Sequence, residues 1–529
     1  MRGIRVDLFK RFSRDERGNL AVIFAIAAIP LLTGVGAAVD YSMAMRVKTK
    51  LQAAADAASV GAIAQGSPAY DAAGQMASNG PITAGNTDAT NIFNANITGA
   101  SGFTNLVVTP SVTKNSTNIT SKVSFTADVP TNFLGLIGYQ KLTVSGSSSS
   151  AGSLPMYLDF YLALDVSGSM GLPSTTAEAV RMQNVNSDNY RQYPTGCTLA
   201  CHFAPQNSAC TDSYTQGYPT NNYCLGYAIS RVSQSGYQNL LVTPSKPKYP
   251  YKNPTTGQYQ QLPSTIVTGL PSSLYQALPP VSSCPSAGTD SCIQLRLDAV
   301  GYAVNALLAT ANSSEKLPQQ FRIGLYPFIH YLYSNYFPLT SSINGSSTTQ
   351  GTINYAAANL ASLLDTNMDS NLGSGGTHID NALNSLNNVI TSVGNGSAWN
   401  NTLPYVFLVT DGAQDNQMKG VPNGGWSGSN HATVLNNPIN QYPNACQQLK
   451  NRGIIVSVLY IPYQTINPVN TSFAGDEDDY ANWNIPNIPP SLQACASPGF
   501  FYTANSPADI TAALNAMFNH ALLTAHITN

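Results

Sequence analysis

Asp165-Val166-Ser167-Gly168-Ser169 sets one carboxylate and two hydroxyls at alternate positions directly after the apolar run Leu162-Ala163-Leu164. Carboxylate and hydroxyl oxygens are hard donors, suited to Mg²⁺ or a similar ion. An apolar run that stops at an Asp and turns through Gly168 reads as a buried strand. Such a strand delivers Asp165, Ser167 and Ser169 to one point at the carboxyl edge of a parallel sheet, where open α/β folds bind ligands. Ser and Gly after a strand are also ordinary turn chemistry, so the stretch needs partners from elsewhere in the chain.

The elements that would position this stretch follow an alternating order. The strand enters from about Leu154, and helical spacing of apolar residues begins at Leu295 and runs to Leu308. Phe321 to Phe328 reads as a strand, Ile379 to Val393 as a helix, and Tyr405 to Thr410 as another strand. A helix over 443–452 precedes the strand Gly453 to Tyr460; Phe500 to Tyr502 gives a short strand, and Ser506 caps a last helix to Leu523. Strands alternating with helices predict a doubly wound, mainly parallel α/β sheet with right-handed crossovers. Residues 171–291 interrupt it with Tyr, Pro, Gly and Asn and with most of the cysteines, and read as a disulfide-stapled insertion at the rim of the binding face.

The pattern Asp-x-Ser-x-Ser resembles the metal-ion-dependent adhesion site of the von Willebrand factor A fold. That family completes its site with a Thr and a second Asp from later loops. Gly375-Gly376-Thr377-His378-Ile379-Asp380 resembles the threonine loop, and Asp411-Gly412 after the strand 405–410 resembles the aspartate loop. The resemblance covers about 154–170 and 293–529. It implies that Asp165, Ser167, Ser169, Thr377 and Asp411 surround one Mg²⁺, or another divalent cation such as Mn²⁺ or Ca²⁺, some of them through water. Three of those five ligands are neutral hydroxyls, so the ion keeps positive charge and an open position for an acidic side chain of a protein partner. The implied activity is binding, and the chain is read as not an enzyme. A metal-dependent hydrolase is the competing class; it needs a general base, for which His378 is the obvious residue. Two other readings are weaker. Cys197-Thr198-Leu199-Ala200-Cys201-His202 offers zinc ligands without the usual C-x-x-C spacing, and Asp476-Glu477-Asp478-Asp479 lacks the spaced pattern of a calcium loop.

The 529 residues carry only 9% charged side chains and a formal net charge of −2, so nothing in the composition suggests a phosphate-binding or nucleic-acid surface. Ordinary soluble proteins carry about 25% charged residues. Leu20 to Val39 is an uncharged apolar run of the length a bilayer span requires. Arg2, Arg5, Lys10, Arg11, Arg14 and Arg17 precede it, so the amino end is expected in the cytoplasm and the bulk of the chain in the periplasm or at the cell surface. A cleaved signal, and a buried core helix marked by Pro30, are the alternatives. Eight cysteines fit export. Cys446 and Cys495 stand apart near the end and make an attractive pair, while the connectivity of the others is open.

The basic arm 1–17, the span 18–42 and a helical stalk 43–66 containing Lys50-Leu51-Gln52-Ala53-Ala54-Ala55-Asp56-Ala57-Ala58 look like the amino-terminal region of TadG-like proteins of the Flp pilus, or tight adherence, apparatus. Residues 67–153 follow as a β-rich spacer: loops and helix remnants to 103, then strands near 106–109, 122–129 and 141–145. Ser147 to Gly152 reads as a short linker. The remainder, 154–529, is the von Willebrand A-like domain. The combined expectation is a membrane-anchored component of pilus assembly or adhesion that binds a protein partner through a metal site, with a purely structural anchor as the alternative.

Overall fold

The computed structural model describes residues 19–185, 250–252, 259–261, 283–289, 292–364, 370–373, 376–414, 445–463, 465, 482 and 485–525. The basic arm, Cys197, Cys201, His202, Cys210, Cys224 and the acidic run 476–479 lie outside the described residues. The chain divides into two compact units, Met1–Pro155 and Met156–Asn529.

In the first unit a single helix, α1 (Asn19–Gly61), runs through the apolar segment and on into the stalk. Over Ile26–Gly61 it is long and apolar enough, by length and composition, to cross a membrane, and Ile26, Ile29, Leu31, Leu32 and Val35 stand exposed along its first half. Its second half has a buried stripe, Leu51, Ala54, Ala55, Ala58 and Ala62. These are the small residues that the sequence sets at helical spacing, and they let a sheet approach closely. That sheet is antiparallel and four-stranded, in the order β1 (Gly80–Pro81), β2 (Thr104–Asn115), β3 (Asn118–Pro130), β4 (Lys141–Ser153).

Two expectations change here. Ser147 to Gly152 is not a linker but the second half of β4, paired residue for residue with β3 from Pro130↔Lys141 to Asn118↔Ser153. Serine and glycine have little β preference of their own. The strand is held instead by its ladder and by hydroxyl contacts from α1, where Ser59 Oγ lies 3.0 Å from Ser148 Oγ and 2.9 Å from Ser150 Oγ. Residues 66–103 are also more regular than expected, forming α2 (Pro68–Gln75) and α3 (Thr83–Asn96). The buried line of α3 is Gly85, Ala89 and Phe93, a four-residue spacing too poor in large apolar side chains to stand out in the sequence.

The second unit is built on a six-stranded sheet. Its members in chain order are β5 (Leu158–Asp165), β6 (Phe321–Phe328), β7 (Phe337–Thr340), β8 (Leu403–Thr410), β9 (Ile455–Tyr460) and β10 (Phe501–Thr503). In space the order is β10-β9-β8-β5-β6-β7, parallel throughout except that β7 runs antiparallel to β6. The helices are α4 (Thr176–Val185), α5 (Arg296–Ser314), α6 (Ile353–Ala358), α7 (Ile379–Val389), α8 (Ala445–Asn451), α9 (Ile488–Cys495) and α10 (Pro507–Ala525).

Every residue of β5 is buried. Leu158, Phe160, Leu162 and Leu164 join the core under α5, α6 and α10, while Tyr161 and Ala163 join the one under α7, α8 and α9. A strand covered on both faces has no use for alternating polarity, which explains its continuous apolar run. Cys446 of α8 and Cys495 of α9 form a disulfide across 49 positions, and Cys284 bonds Cys292. The described ends of the insertion meet: Pro173 bridges Leu295, and buried Glu178 accepts the N–H groups of Gly288 and Gln294 at 2.9 and 2.7 Å.

Candidate functional site

The strand order reverses between β5 and β8. The chain leaves β5 toward β6 on one side, then returns across it to β8, β9 and β10 on the other. Where two neighbouring strands send their connections in opposite directions, a crevice opens at their carboxyl ends. Asp165 is the last residue of β5 and Asp411 the first beyond β8. Val409 pairs with Leu164, so the two carboxylates emerge at the same edge of adjacent strands.

Each residue of the first loop has a defined place there. Asp165 Oδ1 accepts the N–H of Ser167 at 3.0 Å, which folds the loop back over the strand end. Gly168 opens a short 3₁₀ turn to Gly171, and Ser167 Oγ lies 3.3 Å from Ser169 Oγ. Ser169 faces Asp411 and helps to hold its carboxyl in the charged form. Thr410 ties the two strands: its hydroxyl donates to Asp165 Oδ2 at 2.6 Å and accepts the Gly412 N–H at 2.9 Å. Gly412 has φ +78°, and a Cβ there would collide with Ile488, so the turn after Asp411 requires glycine.

Thr377 comes to this edge on a third loop. Gly376 before it takes φ +70°. Its neighbour His378 donates its N–H to Ile329 O at 2.9 Å, one residue past Phe328, which pairs with Asp165. On the other side Asp380 N–H reaches Gln414 Oε1 at 3.3 Å, in the loop that begins with Asp411. The threonine segment is therefore fastened to the loops on both sides of the β5 end. The His378 ring packs on the His330 ring, centroids 4.1 Å apart.

Asp165, Ser167, Ser169, Thr377 and Asp411 are all buried. Burial pushes the Asp165 carboxyl up to about 7, with the Asp411 charge adding to it against hydrogen bonds from Ser167 and Thr410. Asp411 is also raised, mainly by burial, and is partly relieved by Arg296. Two buried carboxylates at one edge call for a cation. Arg296 supplies part of that charge, with Nη1 3.8 Å from Asp411 Oδ2. That exceeds a hydrogen bond, and among the described residues neither atom has a hydrogen-bond partner.

Arg296 and Thr410 were not singled out by the sequence. Thr410 looks like the end of a strand. Arg296 sits between Leu295 and Leu297 and is 3% exposed, so a cation flanked by buried leucines is the one signal it offers. Its position is fixed because the start of α5 is pinned beside the first loop: Arg296 N–H donates to Leu172 O at 2.8 Å, and Asp298 accepts the Leu295 N–H at 2.9 Å.

Residues 18–72 match the family described as Flp pilus-assembly TadE/G-like. No curated protein matches the chain in sequence. Among solved structures, the pilus adhesin SpaC from Lactobacillus rhamnosus GG is 12% identical, with 79% of this chain and 34% of that chain covered and a TM-score of 0.29. The match thus spans about a third of that adhesin. A point mutant of the PilB minor pilin from Streptococcus sanguinis is 9% identical over 81% of this chain and 82% of that one, TM-score 0.30. The vWF domain of the type V pili tip protein Mfa5 from Porphyromonas gingivalis is 16% identical over 44% and 88%, TM-score 0.24.

Proposed function

We propose that this chain is a membrane-anchored, exported component of Flp-type pilus assembly or adhesion whose second unit is a von Willebrand A-like head that captures a protein partner through one divalent cation. Three features support the anchor: an exposed apolar half-helix in α1, the family match over 18–72, and the basic arm that favours a cytoplasmic amino end. Disulfides in the head fit an oxidising compartment outside the cytoplasm.

The observation that carries the binding function is the burial of Asp165 and Asp411 at the edge where the strand order reverses, with two serine hydroxyls between them. The donor set fits a hard cation. Asp165, Ser167, Ser169, Thr377 and Asp411 offer only oxygen, and Asp411 Oδ2 is without a hydrogen bond among the described residues. Mg²⁺, or Mn²⁺ or Ca²⁺ in its stead, would supply a Lewis-acidic site for a partner's carboxylate. The chain's own part is to hold the oxygens in place: Thr410 braces both strands, Gly412 and Gly376 allow the turns, and Arg296 offsets part of the charge. The reading is binding rather than turnover; His378, the residue that would serve a hydrolase as base, packs its ring on His330.

Crosslinking and pull-down from intact cells, with and without chelator, tests this reading. A partner should be captured by the wild type with metal present, and capture should be lost both on chelation and in Asp165→Ala, with the variant still folded and exported. Capture that survives both changes would overturn the metal-site mechanism.

A further inference from the structure

The turn between β3 and β4, residues 131–140, is tied to α1 at the level of its apolar half. Asp40, 2% exposed, accepts three backbone N–H groups from it: Asn132 at 3.0 Å on Oδ1, and Phe133 and Leu134 at 2.9 and 2.7 Å on Oδ2. Phe133 lies against Gly36, where a Cβ would collide with the phenylalanine side chain. Gly36 belongs to the Leu20–Val39 run, so the turn is seated on the last turns of the span. The strands leave it in the opposite direction, along the stalk: Gln52 Nε2 donates to Ser147 O at 3.0 Å, and Gly152 lies beside Ile63.

The composition of this turn is unusual for a loop at the surface of an exported protein. Pro130-Thr131-Asn132-Phe133-Leu134-Gly135-Leu136-Ile137-Gly138-Tyr139-Gln140 has no charged residue. Phe133, Leu136, Ile137 and Tyr139 are all exposed, Leu136 to 84%. Backbone groups are largely satisfied within the turn and by Asp40. Leu136, Gly138 and Tyr139 donate to Phe133, Gly135 and Leu134, and Thr131 N–H donates to Gln140 O. Backbone at membrane depth is tolerated only when its polar groups are paired in this way. Charge resumes at once outside it, with the Lys141–Asp128 pair at the base of the strands, and a tyrosine at its edge is the residue enriched at bilayer interfaces.

We infer that the 131–140 turn is a second membrane contact, a neutral apolar wedge that sits in the lipid interface beside the exit of α1 and fixes the first unit upright on the bilayer. The inference rests on reading α1 as a retained anchor. Its occupant is lipid because Phe133 is seated on Gly36, which lies in the span between the exposed apolar residues Val35 and Val39. Whatever medium surrounds those residues also meets Phe133.

The test uses single tryptophans added to the full chain, reconstituted in phosphatidylethanolamine–phosphatidylglycerol vesicles containing brominated phosphatidylcholine. The three native tryptophans, Trp399, Trp426 and Trp483, give a constant background for subtraction. Leu136→Trp reports the turn, Ile29→Trp the span, and Asn118→Trp the far end of the sheet, about 40 Å along the stalk at 1.5 Å per residue. Leu136→Trp and Ile29→Trp should each lose more than half of their added emission to brominated lipid and resist aqueous iodide. Asn118→Trp should do the reverse. If Ile29→Trp is quenched by lipid but Leu136→Trp answers to iodide, or to neither quencher because protein covers it, the wedge is overturned and the anchor stands. If Ile29→Trp is not quenched by lipid, both fall. Tyr139→Trp gives a second reporter should Leu136→Trp fail to accumulate.

Discussion

Asp165 and Asp411 are buried at the ends of neighbouring strands with the Arg296 guanidinium beside Asp411, and this balance of charge decides how the site behaves. Arg296 Nη1 stands 3.8 Å from Asp411 Oδ2, close enough to offset charge and too far to hydrogen-bond. Removing it leaves Asp411 without that compensation and Asp165 facing an unrelieved neighbour. Breaking a buried pair costs about 3–5 kcal/mol, so Arg296→Met should be markedly destabilised when metal-free. If the two carboxylates share a cation, Mg²⁺ should raise the melting temperature of Arg296→Met by more than that of the wild type. Differential scanning calorimetry with and without Mg²⁺ measures this, and equal shifts would separate the arginine from the cation. Thr410 belongs to the same balance, since its hydroxyl serves Asp165 and the Gly412 N–H together.

At the scale of elements, β4 shows how a strand forms from residues that do not favour one. Its outer half is serine and glycine, and it owes its shape to β3 on one side and to Ser59 and Gln52 of α1 on the other. Asp128 pins the end nearest the apolar turn. Lys141 donates to it at 2.6 Å, Thr143 at 2.8 Å and Asn105 at 3.0 Å, and with Lys141 foremost these bonds hold its carboxyl down at about 2. A carboxylate with a lowered folded-state pKa contributes stability that is complete above its ordinary value of 3.8 and disappears as pH falls from there toward 2. Acid unfolding of the first unit, followed by circular dichroism, should therefore show a loss of stability between pH 4 and about 2 in the wild type. In Asp128→Asn that part of the slope should vanish, and the variant should be the less stable of the two at pH 7. An unchanged slope would show that the bonds around Asp128 do not persist in solution.

For the whole molecule, the head depends on a cross-link between elements distant in sequence. Cys446–Cys495 ties α8 to α9 over 49 positions, and on the chain-entropy account a loop of that length is stabilised by about 4 kcal/mol. The double variant Cys446→Ala/Cys495→Ala should lose about 2–4 kcal/mol in urea unfolding of the second unit. Both cysteines are buried against the face covered by α7, α8 and α9, so the loss should fall on the head and leave the first unit's transition in place. A shift confined to the first unit would contradict this assignment. The sequence by itself determined what neighbouring residues can dictate. The apolar run through α1, the Leu51–Ala62 stripe, the alternation of strands with helices, and the carboxylate and hydroxyls that end β5 all follow from patterns a few residues long. Tertiary structure decided the rest, because it depends on pairings across long stretches of chain. Thr410 meets Asp165 across 245 positions, a serine stretch that reads as a linker becomes a strand once β3 and α1 lie beside it, and an arginine between two leucines becomes the counter-charge of a site. No local pattern encodes these meetings; the order of the strands does, and that order exists only when the whole sheet has formed.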